Sequence, residues 1–184
     1  MLTHRPSALR LGRFAALAAL ALAALCLEPA RPALAQQQGQ GQQPQAETQQ
    51  FQNWTVVCFD VQGQKRCRML QNIGNNDGST IMQASVILLP NDQAGLIFRV
   101  PLGTWLPEGF RFRVDSGQEI QVPYVRCLPP PDNCVVEIGL NDQVLNQLKA
   151  GTSINVRFFD PQRRAVEANV SLLGFTAAFA ALNQ

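Results

Sequence analysis

Four of the five cysteines form two close pairs, Cys58 with Cys67 and Cys127 with Cys134. Cysteine pairs can serve redox exchange, metal binding or structural disulfides. These spacings are not C-x-x-C and no second type of metal ligand accompanies them, which disfavours the first two uses. Eight and six residues separate the partners, and Gly63 lies in the first interval. Each pair could therefore face across a hairpin, and of the three possible connectivities the local one is favoured.

Other residue types offer little chemistry. The only histidine, His4, lies in a segment that we expect to be removed, so no serine or cysteine has a histidine base. There is no G-x-S-x-G motif. Acidic residues are scattered from Asp60 to Glu167 without a spacing that singles out a pair. We therefore predict no enzyme activity, no bound metal and no cofactor, with a hydrolase that uses two carboxylates as the rival hypothesis.

Arginines at the polar positions of alternating strands are the candidate binding residues. The set comprises Arg99, Arg111, Arg113 and Arg157. If they share one sheet face, they form an anion-binding or partner surface. The favoured interpretation is instead a solvated face on which arginine stems cover apolar surface. Trp105, between Gly103 and Pro107, is either a core anchor or a contact residue, and the core is favoured.

Residues 1–35 have the three parts of a Sec signal peptide. Its parts are Arg5, Arg10 and Arg13, then the apolar run Phe14–Leu27, then the small-residue site Ala33-Leu34-Ala35. The run is shorter than the roughly 20 residues that span a membrane. We predict cleavage after Ala35, no integral membrane segment afterwards, and a periplasmic protein. Outer-membrane association and secretion are left open.

The rest of the chain differs in charge and composition. The whole sequence has 15 Lys and Arg against 13 Asp and Glu; four and one of these lie in residues 1–35, which leaves 11 and 12. This balance excludes nucleic acid as an expected partner. Residues 36–50 hold nine glutamines and no large apolar side chain, which predicts a flexible linker. A single domain should then cover 51–184.

The domain shows the pattern of short strands. Apolar residues alternate with polar ones, or form short apolar runs, in nine segments separated by turn residues. These segments are 54–60, 64–71, 80–89, 96–100, 110–115, 119–127, 134–140, 154–159 and 166–172. Because no parallel strand–helix–strand rhythm occurs, the prediction is an all-β, antiparallel β-sandwich. Pro123, inside one segment, indicates an edge strand or a bulge.

Two short peripheral helices complete the prediction. Asn141 or Asp142 can cap the first, and Gly151 suits its end. The second carries an apolar stripe at helical spacing, which should lie against the sheet. The stripe consists of Phe175, Ala178, Phe179 and Leu182.

Four segments together resemble the invasion-associated locus B family. They are Trp54-Thr55-Val56-Val57-Cys58 with Cys67, Val100-Pro101-Leu102-Gly103 leading to Pro107-Glu108-Gly109-Phe110, Tyr124-Val125-Arg126-Cys127 with Cys134, and Gly174-Phe175-Thr176-Ala177-Ala178. The resemblance covers nearly the whole predicted domain. It implies a small exported protein of a Gram-negative, chiefly alphaproteobacterial, cell with an immunoglobulin-like sandwich and a link to host-cell invasion.

Together these observations predict an envelope interaction protein whose partner, in the envelope or on a host surface, is not identified. A periplasmic chaperone or inhibitor that pairs a partner strand with its sheet edge is a further alternative.

Overall fold

The computed structural model describes residues 46–75, 77–89, 93–129 and 133–183. The predicted signal peptide and residues 36–45 of the predicted linker lie outside the described residues. The described strands are β1 (Glu47–Phe51), β2 (Trp54–Val61), β3 (Gln64–Gly74), β4 (Thr80–Leu88), β5 (Ala94–Pro101), β6 (Phe110–Val114), β7 (Ile120–Val122), β8 (Arg126–Leu128), β9 (Asn133–Leu140), β10 (Ser153–Phe159) and β11 (Ala165–Ser171). The helices are α1 (Asp142–Ala150) and α2 (Phe175–Ala180), and a 3₁₀ turn, Ala181–Asn183, follows.

The strands form two antiparallel sheets. One has seven strands in the order β1-β2-β3-β4-β5-β9-β8, and the other has four in the order β11-β10-β6-β7. Alternate side chains of both sheets point into one shared core. Phe98 from the large sheet stacks on Phe110 from the small sheet at 4.8 Å between ring centroids, and Phe158 lies 6.5 Å from Phe110. The predicted all-β antiparallel sandwich is confirmed.

The first strand corrects the predicted linker. Residues 47–50, expected to be flexible, belong to β1, which pairs with β2 from Glu47↔Cys58 to Phe51↔Trp54. Their side chains are exposed, so composition rightly excluded a role in the core. An edge strand, however, is held by backbone hydrogen bonds and needs little burial. A salt bridge of 2.9 Å between Glu47 and Lys65 adds to the pairing.

The predicted strand 119–127 is also wrong, because two strands replace it. β7 belongs to the four-stranded sheet and β8 to the seven-stranded sheet. Pro123 lies between them, where its missing N–H and its restriction of the preceding residue end a ladder. This segment therefore carries the chain from one sheet to the other.

Both cysteine pairs join neighbouring strands. Cys58 lies directly opposite Cys67, and Cys127 directly opposite Cys134, and each pair is joined by a disulfide. The first bridge belongs to a hairpin whose turn residues, Gln62 and Gly63, both have positive φ. That conformation is the one a two-residue turn needs in order to match the twist of its strands.

The two helices begin and end close to the predicted residues. The Asn141 side chain accepts a hydrogen bond from the Val144 backbone N–H and caps α1, and the Gly151 N–H bonds to the Gln147 carbonyl at its end. In α2 the predicted stripe is confirmed for Phe175 and Ala178, which are fully buried, and the stripe continues to the buried Leu182. All three belong to the core that the two sheets share.

Phe179 differs from the rest of the stripe. It is only partly buried, and the Lys149 ammonium lies 5.0 Å from its ring centroid. Phe175, in contrast, meets Trp54 edge to face at 5.4 Å. Phe179 therefore lies at the solvent-facing margin of the stripe, between residues that are buried in the core.

Gly174 is the residue on which the approach of α2 depends. Its φ is +86°, and a Cβ there would collide with the backbone carbonyl of Phe51. The chain thus needs a residue without a side chain for two independent reasons. The close approach sets the C-terminal segment against the β1–β2 hairpin.

We predict that Gly174→Ala is strongly destabilising. A non-glycine residue in this conformation costs about 1–2 kcal/mol, and the backbone collision adds to that. Urea unfolding should show a loss of at least about 2 kcal/mol. Gly139→Ala is the matched control, because a Cβ added at Gly139 would meet no other atom within 4 Å. Similar, small losses in both variants would contradict the packing described here.

The different burial of Phe175 and Phe179 gives a second prediction. Phe175→Ala should cost about 3–5 kcal/mol because it removes a fully buried ring. Phe179→Ala should cost less than half as much, because that ring is partly solvated. Chemical denaturation of both variants measures the difference in the free energy of unfolding. Equal losses of stability would refute the partly solvated position of the Phe179 ring.

Candidate functional site

The four predicted arginines do not share one face. Arg111, Arg113 and Arg157 lie on the four-stranded sheet, whereas Arg99 lies on β5 of the seven-stranded sheet. The condition for a single anion-binding surface, that the four arginines share one sheet face, is therefore not met. Period-two alternation shows that a side chain points away from the core, but it does not show to which of two sheets its strand belongs.

The three arginines of the smaller sheet belong to a mixed-charge cluster. Its members are Arg111, Arg113, Arg157, Glu108, Glu119 and Glu167, three cations and three anions. Arg157 lies 2.7 Å from Glu167 and 4.0 Å from Glu119. The hydrogen bonds that Arg157 donates to the Glu167 carboxylate are the main reason that the pKa of Arg157 is raised. Arg111 lies 3.7 Å from Glu119. Because its charges balance, this cluster offers little attraction to an external anion.

Arg99 has different neighbours, which the sequence pattern missed. It lines a groove of about 690 Å³ on the outer face of the seven-stranded sheet together with Arg68 of β3 and Arg126 of β8. We call this surface the arginine groove. Among the described residues, the trio's one acidic partner within salt-bridge distance is Glu137, 2.7 Å from Arg126. Three cations against one anion leave a net positive surface.

Strand register explains how Arg99 and Arg126 come together. Arg99 and Arg126 both lie opposite Val135, so they occupy one row across the sheet, two strands and about 10 Å apart. Both side chains then reach toward the next row. Arg99 Nη1 donates to Ser85 Oγ at 3.0 Å, and Arg126 bonds Glu137.

Two residues of the second row are buried beneath these arginines. Ser85, Ile97 and Glu137 are directly opposite one another in register, and Ser85 and Ile97 are buried whereas Glu137 is exposed. Ser85 is 1% exposed and Val135, in the first row, is 2% exposed, although both point away from the core. The arginine stems cover this strip, as the solvated-face interpretation expected for Arg99.

Electrostatics in the groove are unfavourable to the trio itself. Burial, followed by the positive charges of Arg68 and Arg126, lowers the pKa of Arg99 below its usual value, and Glu137 only partly opposes this. Arg68 Nε is buried without a hydrogen-bond partner among the described residues. Arginine remains charged at neutral pH despite such shifts. The groove therefore carries repulsion that a bound anion would relieve.

A row that is apolar apart from Asn133 borders the cationic one, and we call it the apolar row. Pro101, Asn133 and Leu128 are opposite one another in register, and Ile81 lines the groove beside them. Leu128 is 42% exposed. The groove is thus amphipathic, with guanidinium groups on one side and apolar carbons on the other.

The core position favoured for Trp105 is not what the structure shows. Its side chain is partly buried outside the main core, and the Arg163 guanidinium lies over its ring, 4.1 Å from the centroid. Its backbone N–H donates to the Phe159 carbonyl. Trp105 therefore anchors the β5–β6 loop to the end of β10 through its backbone hydrogen bond and to the β10–β11 turn through a cation–π contact.

The described part of the chain lacks both a metal-binding cluster and a helix that could span a membrane. It contains no group of three or more His, Cys, Asp or Glu placed to hold a metal ion. No helix within it has both the length and the apolar composition that a membrane crossing requires.

Known proteins share the sequence features and the architecture of this chain. The family model described as invasion associated locus B (IalB) protein matches residues 54–183. The chain belongs to this family. An invasion protein B homolog of Brucella abortus is 26% identical over 131 residues, which cover 70% of this chain and 74% of that protein. Invasion protein B of Bartonella bacilliformis is 26% identical over 110 residues, covering 59% of this chain and 58% of that protein.

A solved structure supports the same family fold. The crystal structure of invasion associated protein B from Bartonella henselae superposes with a TM-score of 0.66 at 23% identity. The match covers 74% of this chain and 95% of that one. At this identity the likeness establishes the IalB fold.

The crowding of charge in the groove leads to a third prediction. Arg99→Met keeps most of the stem that covers the buried strip but removes one of three like charges. We expect the variant to be at least as stable as the wild type at low salt. The difference should shrink as salt screens the remaining repulsion.

The matched variant for this comparison is Arg157→Met in the mixed-charge cluster. It breaks favourable ion pairs and should lower the melting temperature slightly. Thermal unfolding at two salt concentrations measures both effects. A clear loss of stability in Arg99→Met would show instead that the hydrogen bond to Ser85 outweighs the repulsion.

Proposed function

We propose that this IalB-family chain is an exported, disulfide-stabilised interaction protein of the cell envelope that takes part in host-cell invasion by binding rather than by catalysis. The observation that carries the proposal is the arginine groove. It combines net positive charge, a defined cavity and an apolar border, as a binding site requires. The names of the relatives in Brucella and Bartonella support the link to invasion.

Export is supported by two independent features. Residues 1–35 have the pattern of a Sec signal peptide, with cleavage proposed after Ala35. The two disulfides fit an oxidising compartment. We propose the periplasm as the location, with attachment to the outer membrane or release as later steps.

The alternative of a carboxylate-dependent hydrolase has less support. The acids that come together, Glu119 and Glu167, flank the same guanidinium group, that of Arg157. A general acid of the glycosidase type needs a carboxyl group that keeps its proton in an apolar pocket. The cavity beside them holds about 260 Å³ and is lined largely by charged and amide side chains.

Strand addition to a sheet edge is the other alternative. β11 is an edge strand of the four-stranded sheet. The buried Gln71 side chain occupies its last residue: the Ser171 N–H donates to Gln71 Oε1 at 2.9 Å, and Gln71 Nε2 donates to the Ser171 carbonyl at 3.1 Å. This closes one end of the edge, so a partner strand would find a shorter template than the seven residues of β11.

Photo-crosslinking in the producing cell tests the proposal. A photoreactive amino acid at Leu128, inside the groove, should capture a component of the envelope fraction. The same residue at Leu173, which is 58% exposed and outside the groove, is the control and should capture that component far less. Equal capture at both positions, or a protein retained in the cytoplasm with free thiols, would contradict the proposed function.

A further inference from the structure

We propose that the arginine groove binds the phosphate-bearing headgroup of an anionic lipid, with the apolar row turned toward the acyl region of the membrane surface. This inference rests on the proposed binding function and assigns the ligand class of that same surface.

The cationic half of the groove suits a phosphate. Arg68, Arg99 and Arg126 stand on three different strands, so their positions are set by the sheet rather than by a loop. Ser85 holds the Arg99 guanidinium from below. Guanidinium groups bind phosphate oxygens through pairs of parallel hydrogen bonds, and a fixed group loses less entropy on binding. A phosphate would also offset the net charge of the trio.

The apolar half distinguishes an amphiphile from a plain anion. Beside the arginine row lie Ile81, Pro101 and Leu128. Leu102, which is exposed, follows Pro101 at the same end of β5. Exposed apolar residues next to basic ones are the arrangement by which proteins attach to the interface of an anionic membrane.

Lipid is favoured over an acidic protein partner by the size and lining of the site. A volume of about 690 Å³ is that of a small-molecule site. A stable protein partner would instead need roughly 800 Å² of surface on each side. The groove's other polar side chains are Thr80, Gln83, which lies opposite Arg99 in register, and Asn133, which lies between Pro101 and Leu128. A phosphate with an adjoining chain matches this division of polar and apolar groups.

Vesicle binding by the full chain, purified after export, tests the inference. Phosphatidylcholine vesicles should bind little, whereas vesicles that also contain phosphatidylglycerol or phosphatidic acid should bind the protein in a salt-sensitive way. Arg99→Gln should weaken the partition to anionic vesicles about fivefold, and Arg99→Gln with Arg126→Gln about 25-fold. Arg113→Gln, an equal loss of charge on the other sheet, should have little effect.

A second comparison separates the lipid from free phosphate. Leu128→Gln keeps all three arginines and should weaken vesicle binding several-fold. Unchanged vesicle binding in this variant, together with full competition by inorganic phosphate, would mean a plain anion site and would overturn the lipid assignment. Equal losses in Arg113→Gln and Arg99→Gln would overturn it as well. Unaltered melting temperatures show that each variant is folded.

The two proposals can fail separately. If the crosslinker at Leu128 captures an acidic protein while anionic vesicles do not bind, the lipid assignment is wrong and the binding function stands. If neither the envelope nor the vesicles yield a groove-dependent partner, both are wrong.

Discussion

The disulfide between Cys127 and Cys134 is the constraint on which the arginine groove depends. β8 has three residues and pairs only with β9, and a ladder this short is marginal by itself. Closing so short a loop stabilises it by about 2.5 kcal/mol. The bridge thereby keeps Arg126 opposite Val135, in the row of Arg99. Formation of the groove is thus coupled to the oxidising environment that we propose for the mature protein.

The two sheets use arginine in opposite ways. On the four-stranded sheet, Arg111 and Arg157 are surrounded by glutamates, and the ion pairs contribute modestly to a charged surface. On the seven-stranded sheet, Arg99 is half-buried among like charges, which opposes stability. A folded protein tolerates such an arrangement when the rest of the core is well packed, and unfavourable local electrostatics is typical of binding sites. The number of arginines on a face is therefore less informative than the number of acids beside them.

Much of this fold could be predicted from local sequence patterns, because most strands show alternating polar and apolar residues, or an apolar run, within a few consecutive positions. Period-two alternation placed β6 and β10, and the capping residues Asn141 and Gly151 placed α1. The errors have physical causes. The sequence pattern misses β1 because edge pairing needs no apolar side chains. It predicts a single strand over 119–127 because a change of sheet leaves the alternation intact, and Pro123 is its one sign in the sequence.

The candidate site was harder to predict, since it depends on register. Arg68 and Arg126 are each next to a cysteine of a stapled pair, Cys67 and Cys127. Pairing Cys127 with Cys134 sets Arg126 opposite Val135, but only the non-local pairing of β5 with β9 brings Arg99 to the same residue. That pairing brings together Arg99 and Val135, which are 36 positions apart in the sequence, and no turn residue indicates it. A disulfide therefore fixes the position of a basic residue next to it, and the order of strands in the sheet determines which basic residues lie near one another. Arg126 meets both conditions, because it adjoins a disulfide and lies in the row of Arg99. For this reason a three-residue edge strand completes the groove.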